Sequence, residues 1–208
     1  MGINYQLELD KTIAYLKTQG RVPTLLLHSC CAPCSSYVIE YLSQYFSITV
    51  LYYNPNIYPD EEYYKRVEEQ KEFVRRFKTK YPVAFIEGAF EKAKFYEAVK
   101  GKEAMREGED RCFICYELRL LKAAELAAKK GFDYFTTTLS ISPLKNAAKL
   151  NEIGLRLGTQ FGVTYLVSDF KKRNGYKRSV EISHEYEMYR QDYCGCVFSN
   201  QEREVIKQ

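Results

Sequence analysis

The sequence has no tryptophan and only two histidines, His28 and His184, among its 208 residues. Because a serine or cysteine hydrolase needs a base beside its nucleophile, this scarcity of histidine disfavours that class of enzyme. No run of the chain approaches the roughly 18 consecutive apolar residues of a membrane helix. Residues 1–10 also lack the basic, apolar and small-residue succession of a signal peptide. We therefore expect a cytoplasmic protein with no membrane contact.

A strand followed directly by a cysteine-rich loop is predicted near the amino terminus. Residues 25–34 read LLLHSCCAPC, whose apolar run predicts a buried strand, and Val38, Ile39 and Leu42 then follow at helical spacing. Open α/β sheets bind ligands just outside the carboxyl end of such a strand. This loop contains three cysteines and no glycine-rich phosphate cradle. We therefore expect it to bind a metal centre.

The seven cysteines of the chain fall into three groups. The groups are Cys30, Cys31 and Cys34; Cys112 and Cys115; and Cys194 and Cys196. An odd number and a clumped spacing argue against a framework of structural disulfides, which is rare in cytoplasmic proteins. Cysteines that serve as small core residues would be scattered singly through apolar segments. The first two groups are therefore predicted to bind one metal centre.

The five thiolates of the first two groups suit a cluster better than a closed zinc site. Structural zinc commonly takes four ligands from two C-x-x-C arms. The adjacent Cys30 and Cys31 break that symmetry and fit a cuboidal iron–sulfur cluster, so structural zinc is the alternative. Cys34 is predicted to begin a helix, whose dipole stabilises a thiolate. The fifth thiol is either spare or binds a second, exchangeable metal, with Asp110 as a carboxylate ligand or as an ordinary loop residue.

The third group, Cys194 and Cys196, has a different spacing. With only Gly195 between them, the two sulfurs can form a small, strained disulfide, and strained disulfides are the labile, redox-active ones. Asp192, Tyr193 and Gly195 suggest a turn at this point. We favour a redox-active dithiol over a pair of additional cluster ligands.

Strands and helices are predicted to alternate along the chain. The predicted strands cover residues 24–28, 48–53, 83–86, 135–139 and 163–167. The predicted helices cover residues 10–19, 35–45, 60–78, 90–100, 116–130 and 142–158. This alternation predicts an α/β fold with a doubly wound, mainly parallel sheet and right-handed crossovers. Residues 1–208 are predicted to form a single α/β domain, on which residues 171–208 pack as a basic, cysteine-containing carboxy-terminal appendage.

Basic residues are clustered, although the net charge of the chain is only +4. One cluster lies at residues 75–80, and a second one comprises Lys171, Lys172, Arg173, Lys177 and Arg178. Interleaved with some of the 19 tyrosines, such patches suit contact with phosphates and stacking on bases. Solvated helix ends are often basic as well, so composition leaves RNA binding and a plain surface equally open.

Five motifs stand out along the chain. They are HSCCAPC at residues 28–34, YNPNI at 53–57, RCFICY at 111–116, TTLSISP at 137–143 and YCGC at 193–196. Together they resemble the QueH family of epoxyqueuosine reductases, and the resemblance covers nearly the whole chain. It implies a fold like that of the PP-loop (HUP) nucleotide-binding domains. It also implies an enzyme that reduces epoxyqueuosine to queuosine at the wobble position of tRNA anticodons, the final step of queuosine biosynthesis, without cobalamin.

The resemblance also implies roles for the cysteines. A 4Fe–4S cluster would be held by Cys30, Cys31, Cys112 and Cys115. An adjacent metal ion, iron or zinc, would have Cys34 and Asp110 as its candidate ligands at the catalytic centre. Cys194 and Cys196 would form the redox-active disulfide. Because cysteines replace the phosphate loop of the nucleotide-binding domains, we expect no use of ATP.

The partners implied by the resemblance are a tRNA and an electron donor. The tRNA would carry epoxyqueuosine in its anticodon, and its phosphates would contact Lys171, Lys172, Arg173, Lys177 and Arg178. The external donor would be of the ferredoxin or flavodoxin kind.

Two other classes of function remain open. A PP-loop-like RNA sulfurtransferase would use ATP and would carry a glycine–serine phosphate loop after the first strand, which this sequence lacks. A non-catalytic RNA-binding module stapled by zinc would be colourless and would fold only with zinc.

Overall fold

Five strands form one sheet within residues 2–206, which are the residues that the computed structural model describes. The strands are β1 (Thr24–Ser29), β2 (Ser47–Tyr52), β3 (Val83–Glu87), β4 (Tyr134–Thr137) and β5 (Thr164–Tyr165). Their order across the sheet is β3-β2-β1-β4-β5, and every neighbouring pair is parallel. The doubly wound, parallel α/β sheet predicted from the sequence is confirmed.

Helices connect these strands, as parallel pairing requires. In chain order they are α1 (Tyr5–Gln19), α2 (Ala32–Leu42), α3 (Asp60–Arg76), α4 (Lys92–Ala98), α5 (Asp110–Lys130), α6 (Ala147–Phe161), α7 (Gly175–Glu185) and α8 (Val197–Ile206), with a 3₁₀ turn at Thr138–Ile141. Leu25 and Leu27 of β1 belong to a core with residues of α1, α2 and α7, whereas Leu26 belongs to a core with residues of α5 and α6. Because successive side chains of a strand point to opposite faces, β1 contributes to both cores.

The order of the strands reverses between β1 and β4. The chain builds β2 and β3 on one side of β1 and then crosses to add β4 and β5 on the other side. In open parallel sheets, ligands bind in the crevice beyond the carboxyl ends of the strands at such a switch point. Cys30 follows β1 and Thr138 follows β4, and the Cys30 amide donates a hydrogen bond to the Thr138 hydroxyl at 3.3 Å. The sheet therefore places the first cysteine loop at this crevice.

Helix α5 begins earlier than the sequence pattern predicts. The pattern predicts a loop up to Asp110 and a helix directly after Cys115, but the helix begins at Asp110, so Cys112 and Cys115 lie in its first two turns. The carboxylate of Asp110 in the first turn complements the helix dipole and favours this early start. The helix ends as predicted before Gly131, whose φ of 70° is left-handed.

Helix α6 differs from the prediction at both ends. The sequence predicts Ser142 as its cap and Gly158 as its end, whereas the helix spans Ala147–Phe161. Asn146 is the actual cap, since its side chain accepts a hydrogen bond from a backbone amide of the first turn at 3.0 Å. Gly158 lies inside the helix, and the left-handed cap is Gly162, with a φ of 67°. Glycine at 158 allows close packing on the following segment, since a Cβ would come within 2.8 Å of the Val163 carbonyl oxygen.

The carboxy-terminal part of the chain packs on the main core. Helix α7 lies against α2, and Ile182 and Met188 belong to the same buried cluster as Leu25 of β1. Residues 207 and 208 of the predicted appendage lie outside the described residues. No helix within residues 2–206 is both long enough and apolar enough to cross a membrane.

Candidate active site

The first cysteine group occupies the turn between β1 and α2. Cys31 directly precedes α2 and has an extended backbone, and Pro33 in the first helical turn favours the sharp change of direction. The sulfur atoms of Cys30, Cys31 and Cys34 all lie within 4.8 Å of one another, with 3.9 Å between those of Cys30 and Cys31. In a strand, the adjacent side chains of Cys30 and Cys31 would point to opposite faces, but in this loop they turn toward each other.

The three thiols interact with one another through their sulfur atoms. Hydrogen bonds from Cys31 and Cys34 lower the pKa of Cys30 well below its usual range. Burial raises the pKa of Cys31 to about 12, and hydrogen bonding to Cys30 and Cys31 raises the pKa of Cys34. These hydrogen bonds favour a thiolate at Cys30 over the other two positions. A compact set of soft sulfurs is the kind of site that binds iron or zinc.

The second cysteine group lies in the first turns of α5. Cys112 and Cys115 are both buried, and burial raises the pKa of each thiol, that of Cys115 to about 11. The amide of Gly108 donates a hydrogen bond to the Cys112 sulfur at 3.2 Å. Cys112 and Cys115 line one small cavity together with Cys194 and Cys196. The structure therefore brings the second and third cysteine groups together.

Arg119 connects the cysteine groups. It lies one turn after Cys115, is 2% exposed, and donates from Nε to the Cys115 carbonyl at 3.1 Å. It lines both the small cavity and a larger one that Cys30 also lines. Within residues 2–206, its buried Nη2 atom has no hydrogen-bond partner. A free, buried guanidinium donor beside thiols fits a site that takes up a negatively charged group such as a thiolate-ligated cluster.

Hydrogen bonds to its main-chain carbonyl groups hold the Cys194–Cys196 segment in place. The Tyr58 amide donates a hydrogen bond to the Gly195 carbonyl at 2.8 Å, and Arg66 Nη1 donates one to the Cys194 carbonyl at 3.4 Å. Gly195 has a φ of 122°, and a Cβ there would lie 3.0 Å from the Arg66 guanidinium. The segment therefore needs glycine at this position. All seven cysteines are free thiols, so the disulfide between Cys194 and Cys196 stays a prediction.

Sequence reasoning missed two charged residues of the site, Lys145 and Glu107. The Nζ atom of Lys145 lies 3.0 Å from Cys194 Sγ and 2.7 Å from Glu107 Oε1. The other carboxylate oxygen of Glu107 accepts a hydrogen bond from the Ser199 hydroxyl at 3.1 Å. These partners lie 38 and 49 positions from Lys145 in the chain. The one signal nearby was the motif at residues 137–143, just before Lys145.

A cavity of about 550 Å³ opens at the switch point of the sheet. Cys30, Cys34 and Cys194 line it, so the first and third cysteine groups meet at one space. The rest of its lining mixes apolar, aromatic and cationic side chains, among them Ile141, Leu144, Tyr176, Tyr193, Arg190 and Arg203. Its volume is in the range of pockets that enclose small ligands, and we call it the main cavity.

The structure does not bring Asp110 to Cys34. The Asp110 side chain is 64% exposed, lies 3.8 Å from the Lys102 ammonium, and lines neither cavity. The carboxylates that line the main cavity include that of Glu107. Cys34 lies with Cys30 and Cys31 instead, which leaves Asp110 without structural support as a ligand.

The basic cluster is only partly available for a partner. Three of its members form ion pairs inside the chain: Lys171 with Asp169, Arg173 with Asp10, and Arg178 with Glu40 and Glu185. Lys172 and Lys177 are exposed and form no ion pair with any residue of the described range 2–206. They lie close in sequence to Tyr176, which lines the main cavity and is 42% exposed.

His28 is a hydrogen-bonded core residue. Its ring nitrogens lie 2.9 Å from the Thr137 hydroxyl and 3.0 Å from the Tyr53 carbonyl oxygen. Burial, helped by the charge of Arg119, lowers its pKa to about 4. The imidazole is therefore neutral near pH 7, and it lines neither cavity.

Comparison with known proteins identifies a family. The family model described as Epoxyqueuosine reductase QueH matches residues 25–202. A protein of that name from Staphylococcus epidermidis is 45% identical over 201 residues, which are 95% of this chain and 84% of that protein. Proteins of the same name from Streptococcus pyogenes and Thermotoga maritima are 43% and 38% identical, over 95% and 86% of this chain and 78% and 92% of their own lengths. The chain therefore belongs to the QueH family of epoxyqueuosine reductases.

Proposed function

We propose that this chain reduces epoxyqueuosine to queuosine at the wobble position of tRNA anticodons, as an iron–sulfur enzyme that needs no cobalamin. This reaction is the final step of queuosine biosynthesis. The observation that carries the proposal is the main cavity, which Cys30 and Cys34 of one cysteine group line together with Cys194 of another. The family and the names of the relatives support the substrate and the reaction. We expect no use of ATP, since cysteines stand where a phosphate loop would lie.

We propose that a 4Fe–4S cluster is held by Cys30, Cys31, Cys112 and Cys115. The closeness of the first two sulfurs, the burial of the other two, and the Arg119 donor left unpartnered within residues 2–206 support this set. When bound, such a cluster supplies electrons one at a time. Cys34 is proposed as a ligand of an adjacent iron or zinc ion. Asp110, the other proposed ligand, would have to turn inward from its exposed position.

The dithiol of Cys194 and Cys196 matches the stoichiometry of the reaction. Removal of an epoxide oxygen as water consumes two electrons and two protons and leaves an alkene. Oxidation of the dithiol to a disulfide releases two electrons and two protons. We propose that an external donor of the ferredoxin or flavodoxin kind restores the dithiol. Tyr176 and Tyr193 line the main cavity and are our candidates for proton transfer to the leaving oxygen.

The main cavity suits a base that has turned out of the anticodon loop. Proteins recognise RNA loops through splayed bases that stack on aromatic rings and guanidinium planes. The lining offers Tyr176, Tyr193 and Arg190 for this purpose. Lys172 and Lys177 are the proposed phosphate contacts with most freedom to bind. Lys171, Arg173 and Arg178 would first have to leave their ion pairs. The cytoplasmic location stays a prediction.

The proposal is tested by incubating anaerobically purified protein with epoxyqueuosine-containing tRNA and a one-electron donor. Queuosine is then measured by mass spectrometry of the digested tRNA. We expect conversion without added cobalamin or ATP. If protein with a full complement of iron converts none of the substrate, the proposed function is wrong.

Binding of tRNA is tested by charge reversal at Lys172 and Lys177. We expect weaker binding and a salt dependence flatter by about one unit of log–log slope for each lysine that contacts a phosphate. Lys94→Glu is the control, because Lys94 is an exposed lysine that pairs with Glu91 at 2.7 Å and belongs to neither basic cluster. Unchanged binding of the doubly reversed variant in a gel-shift series would remove both lysines from the RNA interface.

A further inference from the structure

Lys145 belongs to a closed ring of hydrogen bonds that includes Cys194. Its Nζ atom lies 3.0 Å from Cys194 Sγ and 2.7 Å from Glu107 Oε1. The Ser199 hydroxyl donates to Glu107 Oε2 at 3.1 Å and accepts from the Cys194 amide at 3.0 Å. The ring therefore fixes both the main chain and the sulfur of Cys194.

The ammonium of Lys145 remains charged although it is buried. Only 7% of Lys145 is exposed, so its charge must be satisfied by these partners. Burial acts to lower the pKa of Lys145, but the charges of Cys194 and Glu107 outweigh burial and raise that pKa above its usual range. A protonated ammonium at hydrogen-bond distance favours the ionised form of the thiol that it faces.

The two sulfurs of the Cys194–Cys196 pair have different surroundings. Cys194 lines both the main cavity and the small cavity, whereas Cys196 lines only the small one. Cys196 is buried in an apolar cluster with Phe95, Val99 and Cys115. The geometry therefore distinguishes an outer sulfur at Cys194 from an inner sulfur at Cys196.

We propose that Lys145 is a positioning residue that holds the Cys194 sulfur toward the main cavity and leaves Cys196 as its inner partner. The inference rests on the proposed function in one respect, which is that it takes Cys194 and Cys196 as the redox pair. Lys145 acts through Cys194, and Glu107 and Ser199 hold the lysine and the backbone of Cys194 in register. Cys194 is accordingly the sulfur of the pair that meets the substrate.

The test measures alkylation of Cys194 by iodoacetamide as a function of pH, in the anaerobic, cluster-loaded protein. A Cys196→Ser background prevents the disulfide. The extent of modification is read by mass spectrometry in the tryptic peptide of residues 191–203, which contains no other native cysteine in that background. With Lys145→Gln we expect the midpoint of the pH profile to rise by about one unit and the rate at pH 7 to fall about tenfold.

Three further variants separate charge from folding. Lys145→Arg keeps the charge and should restore most of the rate. Lys11→Gln removes an exposed lysine that also pairs with a glutamate, at 2.8 Å from Glu8, and should leave the profile unchanged. Glu107→Gln keeps the ammonium but removes a neighbouring negative charge, so the midpoint should fall. An unchanged profile in Lys145→Gln, or a rise in both Lys145→Gln and Glu107→Gln, overturns the inference.

The alkylation experiment needs no tRNA, so its failure and that of the proposed function can be told apart. Suppose that the unsubstituted protein fails to convert epoxyqueuosine while Lys145→Gln changes the alkylation of Cys194 as expected. In that case the proposed function is wrong and the positioning role stands. If conversion is observed but alkylation is independent of Lys145, the positioning role is wrong and the function stands.

Discussion

The loop after β1 and the segment before α8 bring cysteines to the same cavity, but their sulfurs are satisfied in different ways. In the loop, the sulfurs of Cys30, Cys31 and Cys34 lie within 4.8 Å of one another. In the segment, the sulfur of Cys194 interacts with the ammonium of Lys145. Three thiols that lie together are arranged to bind one metal. A thiol paired with an ammonium is arranged to react singly.

The two regions also differ in what holds their backbones. The loop is fixed locally, by the end of a strand, the start of a helix, and Pro33 in its first turn. The segment is fixed by distant partners, through the contacts of Gly195 with Tyr58 and Arg66. The loop is therefore visible in the sequence as a contiguous pattern, whereas the setting of the segment is visible only in three dimensions.

The largest effect is expected from removal of a thiol in the loop. Cys31→Ser should lower iron from about four atoms per chain to less than one and abolish turnover, because a serine hydroxyl is a much poorer ligand for a cluster than a soft thiolate. Iron and sulfide analysis of anaerobically purified protein checks this. Cys34→Ser sharpens the comparison, since it should keep the cluster and lose only the adjacent ion. Full iron content in Cys31→Ser would contradict the assignment of the loop as the metal site.

Removal of Cys194, the outer thiol of the segment, should lower turnover without loss of iron. Cys194→Ser should keep its iron and lower turnover about a hundredfold, which corresponds to about 2.7 kcal/mol of activation free energy. Queuosine formation with a one-electron donor, measured alongside iron content, checks this. The double variant Cys194→Ser, Cys196→Ser removes both thiols and so shows how much turnover remains without the dithiol. Full turnover of the double variant would exclude a relay through the dithiol.

Arg119 lies beside both regions, so its removal should cause a smaller, electrostatic change in the reduction potential of the bound cluster. Arg119→Gln should make the potential of the bound cluster more negative by on the order of 60 mV, about 1.4 kcal/mol for one electron, because a positive charge near the sulfurs is lost. Arg119→Lys keeps the charge and should shift it less. A redox titration followed by EPR measures both. Equal potentials in all three proteins would separate Arg119 from the cluster.

A change in the backbone of the segment is expected to affect the stability of the fold. Gly195→Ala should lower the free energy of unfolding by about 1–3 kcal/mol, because alanine is strained at a φ of 122° and its Cβ would crowd Arg66. Gly101→Ala is the matched control, since Gly101 has a φ of 79° and open space around its Cβ position. Denaturant titrations of both variants check this. An equal loss in the two variants would mean that the contact with Arg66 is unimportant.

Much of the fold could be predicted from the periodicity of the sequence, and the errors in the predicted helix boundaries have local causes. Apolar runs such as residues 25–27 predicted the strands, and their alternation with helices predicted the parallel sheet. The start of α6 was wrong because Ser142 and Pro143 look like a helix start, although the true cap, Asn146, lies four positions later. The start of α5 was wrong because Asp110 was assigned to the preceding loop.

The site was predictable where its residues are cysteines and hidden where they are charged. Cysteine is rare and its spacing is informative, so all three groups were found in the sequence. Lys145 and Glu107 belong to common residue types. They lie near Cys194 only in the folded protein, because tens of residues separate these positions along the chain. The partial neutralisation of the basic cluster was hidden for the same reason, since Asp10 and Arg173 are far apart in the chain.

The central claim is that the cysteine loops bind an iron–sulfur cluster beside a substrate cavity. Iron and sulfide analysis with EPR, before and after reduction, on protein purified without oxygen tests it most directly. We predict about four irons per chain, matching sulfide, and a signal from the reduced cluster, with additional iron or zinc if the adjacent ion is present. Zinc alone, in a colourless protein with no EPR signal, would contradict it and would favour a zinc-stapled RNA-binding module.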